Sequence, residues 1–158
     1  MPVKVNVRDK DLKTMIDYIV QKVSPSFNDI LGFSLDSQTC DEGIVSFDLR
    51  DELIGNPFFR ILHGGVISSI LDITGGHTVH IKIFDEIRGR PFEKQVERLS
   101  KIGTIDLRID YLRPGRGQHF IAKGQILRMG NKVAVVRTEL RNEDSVVIAV
   151  GTGTYTVG

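Results

Sequence analysis

His63-Gly64-Gly65-Val66-Ile67-Ser68-Ser69-Ile70-Leu71-Asp72-Ile73-Thr74-Gly75-Gly76 is the stretch that decides the fold. Projected at about 100° per residue, Val66, Ile67, Ile70, Leu71 and Thr74 share one arc, the side a sheet would grip. Gly65, Ser68, Ser69, Asp72, Gly75 and Gly76 fall opposite. A solvated helix face would carry Lys, Glu, Gln and Arg, which form helices better than Gly or Ser. A face of small residues and one carboxylate instead admits a second backbone or a ligand at close range. The apolar period runs from His63 to about Phe84 and predicts one long helix.

Downstream of that helix, Asp85 to Lys101 is charge-rich, contains Pro91 and has no clear period, so a loop with a turn of helix is expected. Thr104 to Leu112 then alternates strictly. Ile105, Leu107, Ile109 and Tyr111 fall on one face, and Thr104, Asp106, Arg108 and Asp110 on the other. Arg113-Pro114-Gly115 ends this strand, and strands follow at His119 to Leu127, Lys132 to Leu140 and Ser145 to Val157. Their turns, Met129-Gly130-Asn131 and Asn142-Glu143-Asp144, are short, and the four strands are expected to form an antiparallel meander.

Upstream, Leu12, Met15, Ile16, Ile19, Val20 and Val23 recur at helical spacing over about residues 9–24, with Asp9 as N-cap and Ser24-Pro25 as stop. Phe33 to Leu49 reads as two strands around a turn near Asp41-Glu42-Gly43, and Gly55-Asn56-Pro57 breaks the chain. Helix, two strands, long helix, four strands: the order predicts a single α+β domain over 1–158. In it an antiparallel sheet packs on one central helix, with an extra N-terminal helix.

Composition narrows the function. Hydrophobic residues make up 41% and charged residues 26%, ordinary for a globular chain. A net charge of +1 supplies no field for nucleic acid or an anionic membrane, and neither is an expected partner. Cys40 is alone, which fits a reducing compartment. The N-terminus, starting Met1-Pro2-Val3-Lys4, lacks a signal-peptide stretch, and no window nears the roughly 18 apolar residues of a membrane span. A cytoplasmic protein is expected.

Gly64-Gly65 leaves N–H groups uncovered at the positive end of the helix dipole, where a polarised carbonyl or oxyanion can bind; tight packing of the helix start is the alternative. Gly64 and Asp72 lie about 12 Å apart along one helix axis, too far for one reacting group to touch both. If they serve one site, they come from different chains, as in an isologous dimer with two equal sites.

At these residues the sequence resembles the PaaI-like hotdog-fold thioesterases. Ile61 to Asp72 looks like their His-Gly-Gly signature with an acid nine residues after the His, and Gly103 to Pro114 resembles the strand after their long helix. The match spans roughly Leu31 to Val157. The resemblance implies a hotdog fold, a sheet wrapped around one central helix, and hydrolysis of acyl-CoA to free acid and CoA at a site shared across a homodimer, with dimers pairing into a tetramer. It assigns the Gly64 N–H to the thioester carbonyl and His63 to shaping that end. Asp72 of the partner would be nucleophile or general base, and Thr104 would position water or the carboxylate. The family's Asn or Gln six residues before the His is Pro57 here, so Asn56, seven before, is the candidate. Gly65 and Ser69 would face the substrate, and Arg113, Arg128, Asn131 and Lys132 would lie near the CoA phosphates. No metal or organic cofactor is implied. Phe58, Phe59, Ile61 and Leu62 either line an acyl channel or anchor the loop.

Other constellations carry less. His63, His77, His80 and His119 lack the i, i+4 spacing of helical metal ligands, and His77 shares a face with Ile70 and Ile73, which predicts partial burial. Ser68 and Ser69 have no His–acid partner, and Gly151-Thr152-Gly153-Thr154 falls within a strand, not a phosphate loop. An acyl-thioester dehydratase or hydratase, and a non-catalytic acyl-CoA sensor, remain the rival readings; the sensor would not need Asp72.

Overall fold

The computed structural model describes residues 3–23, 26–39 and 41–158. The expected helix stop at Ser24-Pro25, the lone Cys40 and the first two residues lie outside the described residues. In chain order come β1 (Lys4–Val7), α1 (Lys10–Val23), α2 (Phe27–Leu31), β2 (Ser34–Thr39) and β3 (Glu42–Asp48). A short 3-10 turn (Asp51–Leu53) leads into β4 (Ile54–Asn56) and β5 (Ile61–Leu62). Then follow α3 (Gly64–Ile87), α4 (Phe92–Leu99), β6 (Gly103–Tyr111), β7 (His119–Met129), β8 (Val133–Asn142) and β9 (Val147–Thr156). Among the described residues no helix is long and apolar enough to cross a membrane.

Seven strands form one sheet in the order β1-β2-β3-β7-β8-β9-β6, and β4 with β5 forms a small hairpin. Every pair in the large sheet is antiparallel except β1–β2, which is parallel. Only β7-β8-β9 is the expected meander. β6 does not pair with β7; it crosses to the far edge and pairs with β9, Tyr111 opposite Ala149 and Gly103 opposite Thr156. The Arg113-Pro114-Gly115 segment that ends β6 is a crossover link rather than a hairpin turn, and it is pinned where the Leu62 N–H donates to the Gly115 carbonyl at 3.0 Å.

The sheet curls around α3, whose Ile67, Ile70, Leu71, Thr74, Val79 and Ile81 are buried. Each large aliphatic side chain so buried contributes about 1.5–3 kcal/mol. Close approach is possible because Gly43 and Gly124, paired across β3 and β7, both face Thr78. A Cβ on Gly124 would sit 2.1 Å from the Thr78 hydroxyl oxygen. Phe47 and Phe120 stack at 5.1 Å between ring centres on the same strand pair.

α1 begins as expected: an Asp9 carboxylate oxygen accepts the Asp11 and Leu12 N–H groups, each at 3.0 Å. Its apolar stripe buries Leu12, Met15 and Ile16. The segment expected to be a loop with a turn of helix holds all of α4. Phe92, Val96 and Leu99 recur at i, i+4 and i+7; Leu99 is buried, and Phe92 meets the Tyr18 ring edge-on at 5.2 Å. Five charged or amide residues among its eight masked that period. β1, α2 and the β4–β5 hairpin, absent from the expected order, are too short to give a periodic signal.

Candidate active site

The first turn of α3 is organised by His63. Its Nδ1 accepts the Gly65 N–H at 2.8 Å and so caps the helix. The His63 carbonyl takes the N–H groups of Val66 at 3.0 Å and Ile67 at 3.2 Å. The Gly64 N–H is left over: it has no acceptor among the described residues, and it stands at the positive end of a 24-residue helix. The Tyr111 hydroxyl donates to the Gly64 carbonyl at 3.0 Å, tying the end of β6 to the helix start. Behind His63, a Cβ on Gly55 would lie 2.6 Å from the His63 Cα, so β4 backs the capping residue directly.

Two turns further on, the Asp72 carboxylate is half-buried. Its Oδ1 accepts the Thr104 hydroxyl at 2.8 Å, and the Tyr155 hydroxyl also lies against the carboxylate. The Tyr155 hydroxyl donates to the Asp72 backbone carbonyl at 3.2 Å. Burial foremost, and then the nearby Asp72 charge, push the Tyr155 phenol upward, so it stays a donor.

Strict alternation along β6 would have placed Thr104 on the face opposite Tyr111. It does not, because the register slips between Thr104 and Asp106. A bulge at Ile105 turns Thr104 toward α3, on the same side as Leu107, Ile109 and Tyr111. The bulge therefore builds the Thr104–Asp72 contact.

Within one chain the two centres stay apart. Gly64 and Asp72 belong to the same straight stretch of α3, about 12 Å apart along its axis. Tyr111 and Arg113 lie at the Gly64 end. The β7–β8 turn carrying Asn131 and Lys132 lies at the other, beside Gly103 across β9. Arg113 donates to the Val147 carbonyl at 3.0 Å. Arg128 pairs with Val135, in register with Thr154 and Asp106, and so projects from the outer face of the sheet, away from α3.

Of the remaining expected residues, the Asn56 side-chain carbonyl accepts the Phe58 N–H at 3.0 Å and holds the β4–β5 turn. Ser69 and Ser68 donate back to the Gly65 carbonyl at 2.7 and 3.0 Å. Phe58 and Phe59 are 91% and 60% exposed, whereas Ile61 and Leu62 line an open pocket beside Gly64 and Tyr111; the Arg116 guanidinium covers the Phe59 ring at 5.6 Å. The four histidines have separate partners. His77 is buried rather than partly so, its Nε2 3.1 Å from the Asp36 carbonyl, and burial pulls its imidazole down to about 4. His80 Nδ1 donates to the Gly76 carbonyl at 2.7 Å, and burial lowers its pKa as well. His119 meets Asp48 at 2.7 Å. Tyr111 belongs to the strand that carries the resemblance, but its contact with α3, like that of Tyr155, follows only from the register of β6 and β9.

A sequence model described as the thioesterase superfamily matches residues 59–149, more than half of the chain. The chain belongs to the thioesterase superfamily. The matched span of this thioesterase contains Gly64, Asp72 and Thr104 but not α1. The thioesterase is 46% identical over 140 residues to the medium/long-chain acyl-CoA thioesterase YigI of Escherichia coli strain K12, covering 84% of this chain and 85% of that protein. A crystal structure from Shewanella oneidensis, described as related to the thioesterase superfamily, superposes with a TM-score of 0.82 at 38% identity, covering 95% of this chain and 99% of the other. Zebrafish thioesterase superfamily member 2, at 19% identity, shares the fold with a TM-score of 0.68 over 93% of each chain. The hotdog architecture expected from the sequence is the one these neighbours have.

Proposed function

We propose that this thioesterase hydrolyses acyl-CoA of medium to long chain length at two equal sites, each formed between two copies of the chain in the PaaI-like manner. The observation that carries the reading is the split itself: an N–H at Gly64 with no acceptor among the described residues and a half-buried carboxylate at Asp72, about 12 Å apart on one helix. Each is ready for half of the chemistry. The edge strand β6 gives the means of joining them. It leaves Ile105, Tyr111 and neighbouring Leu112 more than half exposed at the sheet margin, at 55%, 54% and 52%. Antiparallel pairing of β6 with its twofold copy, centred near Leu107, sets the Gly64 end of one chain against the Asp72 end of the other.

In the joined site the Gly64 N–H and the helix dipole receive the thioester oxygen as it becomes an oxyanion. Asp72 from the partner subunit takes a proton from water, whose oxygen attacks the carbonyl carbon; collapse breaks the C–S bond and the proton passes to the departing CoA sulfur. Direct attack by Asp72, giving an acyl anhydride that water then opens, uses the same two half-sites. Thr104 keeps the carboxylate aimed. Arg113 from one chain and Lys132 with Asn131 from the other flank the CoA phosphates, with Arg128 on the outer rim. Neither route requires a metal or organic cofactor, and the likeness to YigI supports the substrate class.

Release of CoA thiol from acyl-CoAs of increasing length, compared between wild type and Asp72→Asn, tests the reading. Asparagine can still accept the Thr104 hydroxyl, so the fold is kept while turnover drops by about 10²–10⁴. Full turnover in the variant, or none in wild type on any chain, would overturn it.

A further inference from the structure

A cavity of about 260 Å³ lies between α1 and α3, with half-buried Asp72 and exposed Thr104 among its lining residues. Met15, Ile16 and Ile19 of α1 form one wall; Gly76 and His80 of α3 form part of the other. Asp72, Gly76 and His80 are spaced four residues apart, so they line one stripe of α3 from the carboxylate inward over about 12 Å.

The two adjacent glycines of α3 have different reasons. A Cβ on Gly75 would stand 2.0 Å from the Tyr155 hydroxyl oxygen, so packing demands glycine there. A Cβ on Gly76 would meet nothing nearer than a Tyr155 ring carbon at 4.0 Å, and its backbone is helical. Neither packing nor backbone conformation requires glycine at Gly76, although glycine weakens a helix. Its effect is to leave open the space one turn beyond Asp72. The histidines beside it add no charge: each spends a ring N–H on a backbone carbonyl, Asp36 for His77 and Gly76 for His80, and burial keeps both neutral. α1, the roof, lies outside the span matched by the superfamily.

We propose that this cavity holds the acyl tail of the substrate, entering past Asp72 of the same chain, and that Gly76 with the α1 residues Met15, Ile16 and Ile19 sets the longest chain accepted. The proposal rests on the acyl-CoA reading of the site. An extended hydrocarbon advances roughly 1.3 Å per C–C bond of about 1.5 Å, so the 12 Å stripe takes roughly nine carbons beyond the carbonyl. The tail thus lies with the chain that supplies the carboxylate, and the oxyanion donor with the other.

The test is kcat/KM on butyryl-, octanoyl-, dodecanoyl- and hexadecanoyl-CoA for wild type, Gly76→Leu and Ile19→Trp, which fill the cavity from its two walls. The ratio of octanoyl to butyryl turnover is expected to fall at least about 30-fold in both variants, each lost methylene contact being worth a factor of about ten or more. An unchanged ratio in both, or equal loss at every chain length in both, overturns the proposal. Calorimetric binding of decanoic acid gives a readout free of thioester chemistry: wild type binds and both variants lose at least ten-fold in affinity. Should wild type turn over no acyl-CoA, the proposed function fails, and decanoate binding still decides the cavity; equal binding by all three proteins refutes it.

Discussion

Replacing Gly64 by proline removes one hydrogen atom that the proposed chemistry needs and little that the fold needs. The Gly64 N–H has no acceptor within the chain among the described residues, so no internal bond is lost. Gly64 is the first helical residue of α3, where proline's fixed φ and missing N–H are well tolerated. His63 before it is extended, at φ −65° and ψ 137°, which is the conformation a residue preceding proline prefers. A Cβ at this position meets the Tyr111 ring at 3.6–3.8 Å, ordinary contact. Stability should therefore hold or rise by about 0.4–1 kcal/mol through the stiffer unfolded chain. Turnover should fall by about 10²–10³, roughly 3–4 kcal/mol of transition-state stabilisation, because an oxyanion donor is gone. Gly64→Ala is the control: it adds the same Cβ, keeps the N–H, and should stay within about three-fold of wild type. Steady-state thiol release and thermal melts on both variants check the prediction. A Gly64→Pro protein with wild-type kcat, or an alanine variant as damaged as the proline one, would refute the donor assignment.

Three further outcomes follow from the geometry. Gly75→Ala should cost about 1–3 kcal/mol by driving a methyl into Tyr155, whereas Gly76→Ala should gain about 0.5–1 kcal/mol; urea midpoints that move together would contradict the distinction. Asp9→Ala should cost about 1 kcal/mol or more through loss of the α1 cap and of the 2.7 Å ion pair with Arg88, while Asp9→Asn, which keeps a capping oxygen, should cost less; equal losses in the same melts would contradict the capping role. His77 in the folded chain titrates at about 4, below its ordinary 6.5, so the unfolded chain takes up a proton first as pH falls. Stability is then lost between about pH 6.5 and 4, by about 3 kcal/mol at most from this residue, and His77→Gln should flatten that part of the curve. Parallel pH–stability curves for the two proteins would show that His77 is not the cause.

The central helix was legible because Val66, Ile67, Ile70, Leu71 and Thr74 keep the helical period over several turns, and the structure buries all but Val66 completely. The N-cap role of Asp9 was legible for the same local reason. What the sequence concealed depends on long-range pairing. Nothing near Arg113-Pro114-Gly115 says that β6 crosses to the far edge of the sheet, and nothing in the alternation of Thr104 to Leu112 announces the bulge at Ile105. Thr104 entered the candidate site through family resemblance, against the face assigned by alternation, and the bulge supplies the reason. In the sequence the small-residue face of α3 has the pattern of a single surface for close approach. It divides in the folded chain: Gly75 accommodates Tyr155, Gly76 opens onto the cavity, and Ser68 and Ser69 bond back to Gly65. Of the four residues the sequence offers for an acyl channel, Phe58 and Phe59 are exposed and Ile61 and Leu62 line a pocket beside Gly64; the cavity under α1 is hidden by that helix's distance in sequence from Asp72.

The claim that each site is assembled from two chains is tested most directly by mixing two disabled proteins. Gly64→Pro and Asp72→Asn homodimers should each be nearly inactive. After co-refolding or co-expression in equal amounts, half of the dimers are mixed, and each mixed dimer has one site with an intact Gly64 from one chain and an intact Asp72 from the other. The account predicts recovery of about a quarter of wild-type activity, the share of sites that are whole. No recovery from a population shown to contain mixed dimers would mean that Gly64 and Asp72 act within one chain, and the shared site would be wrong.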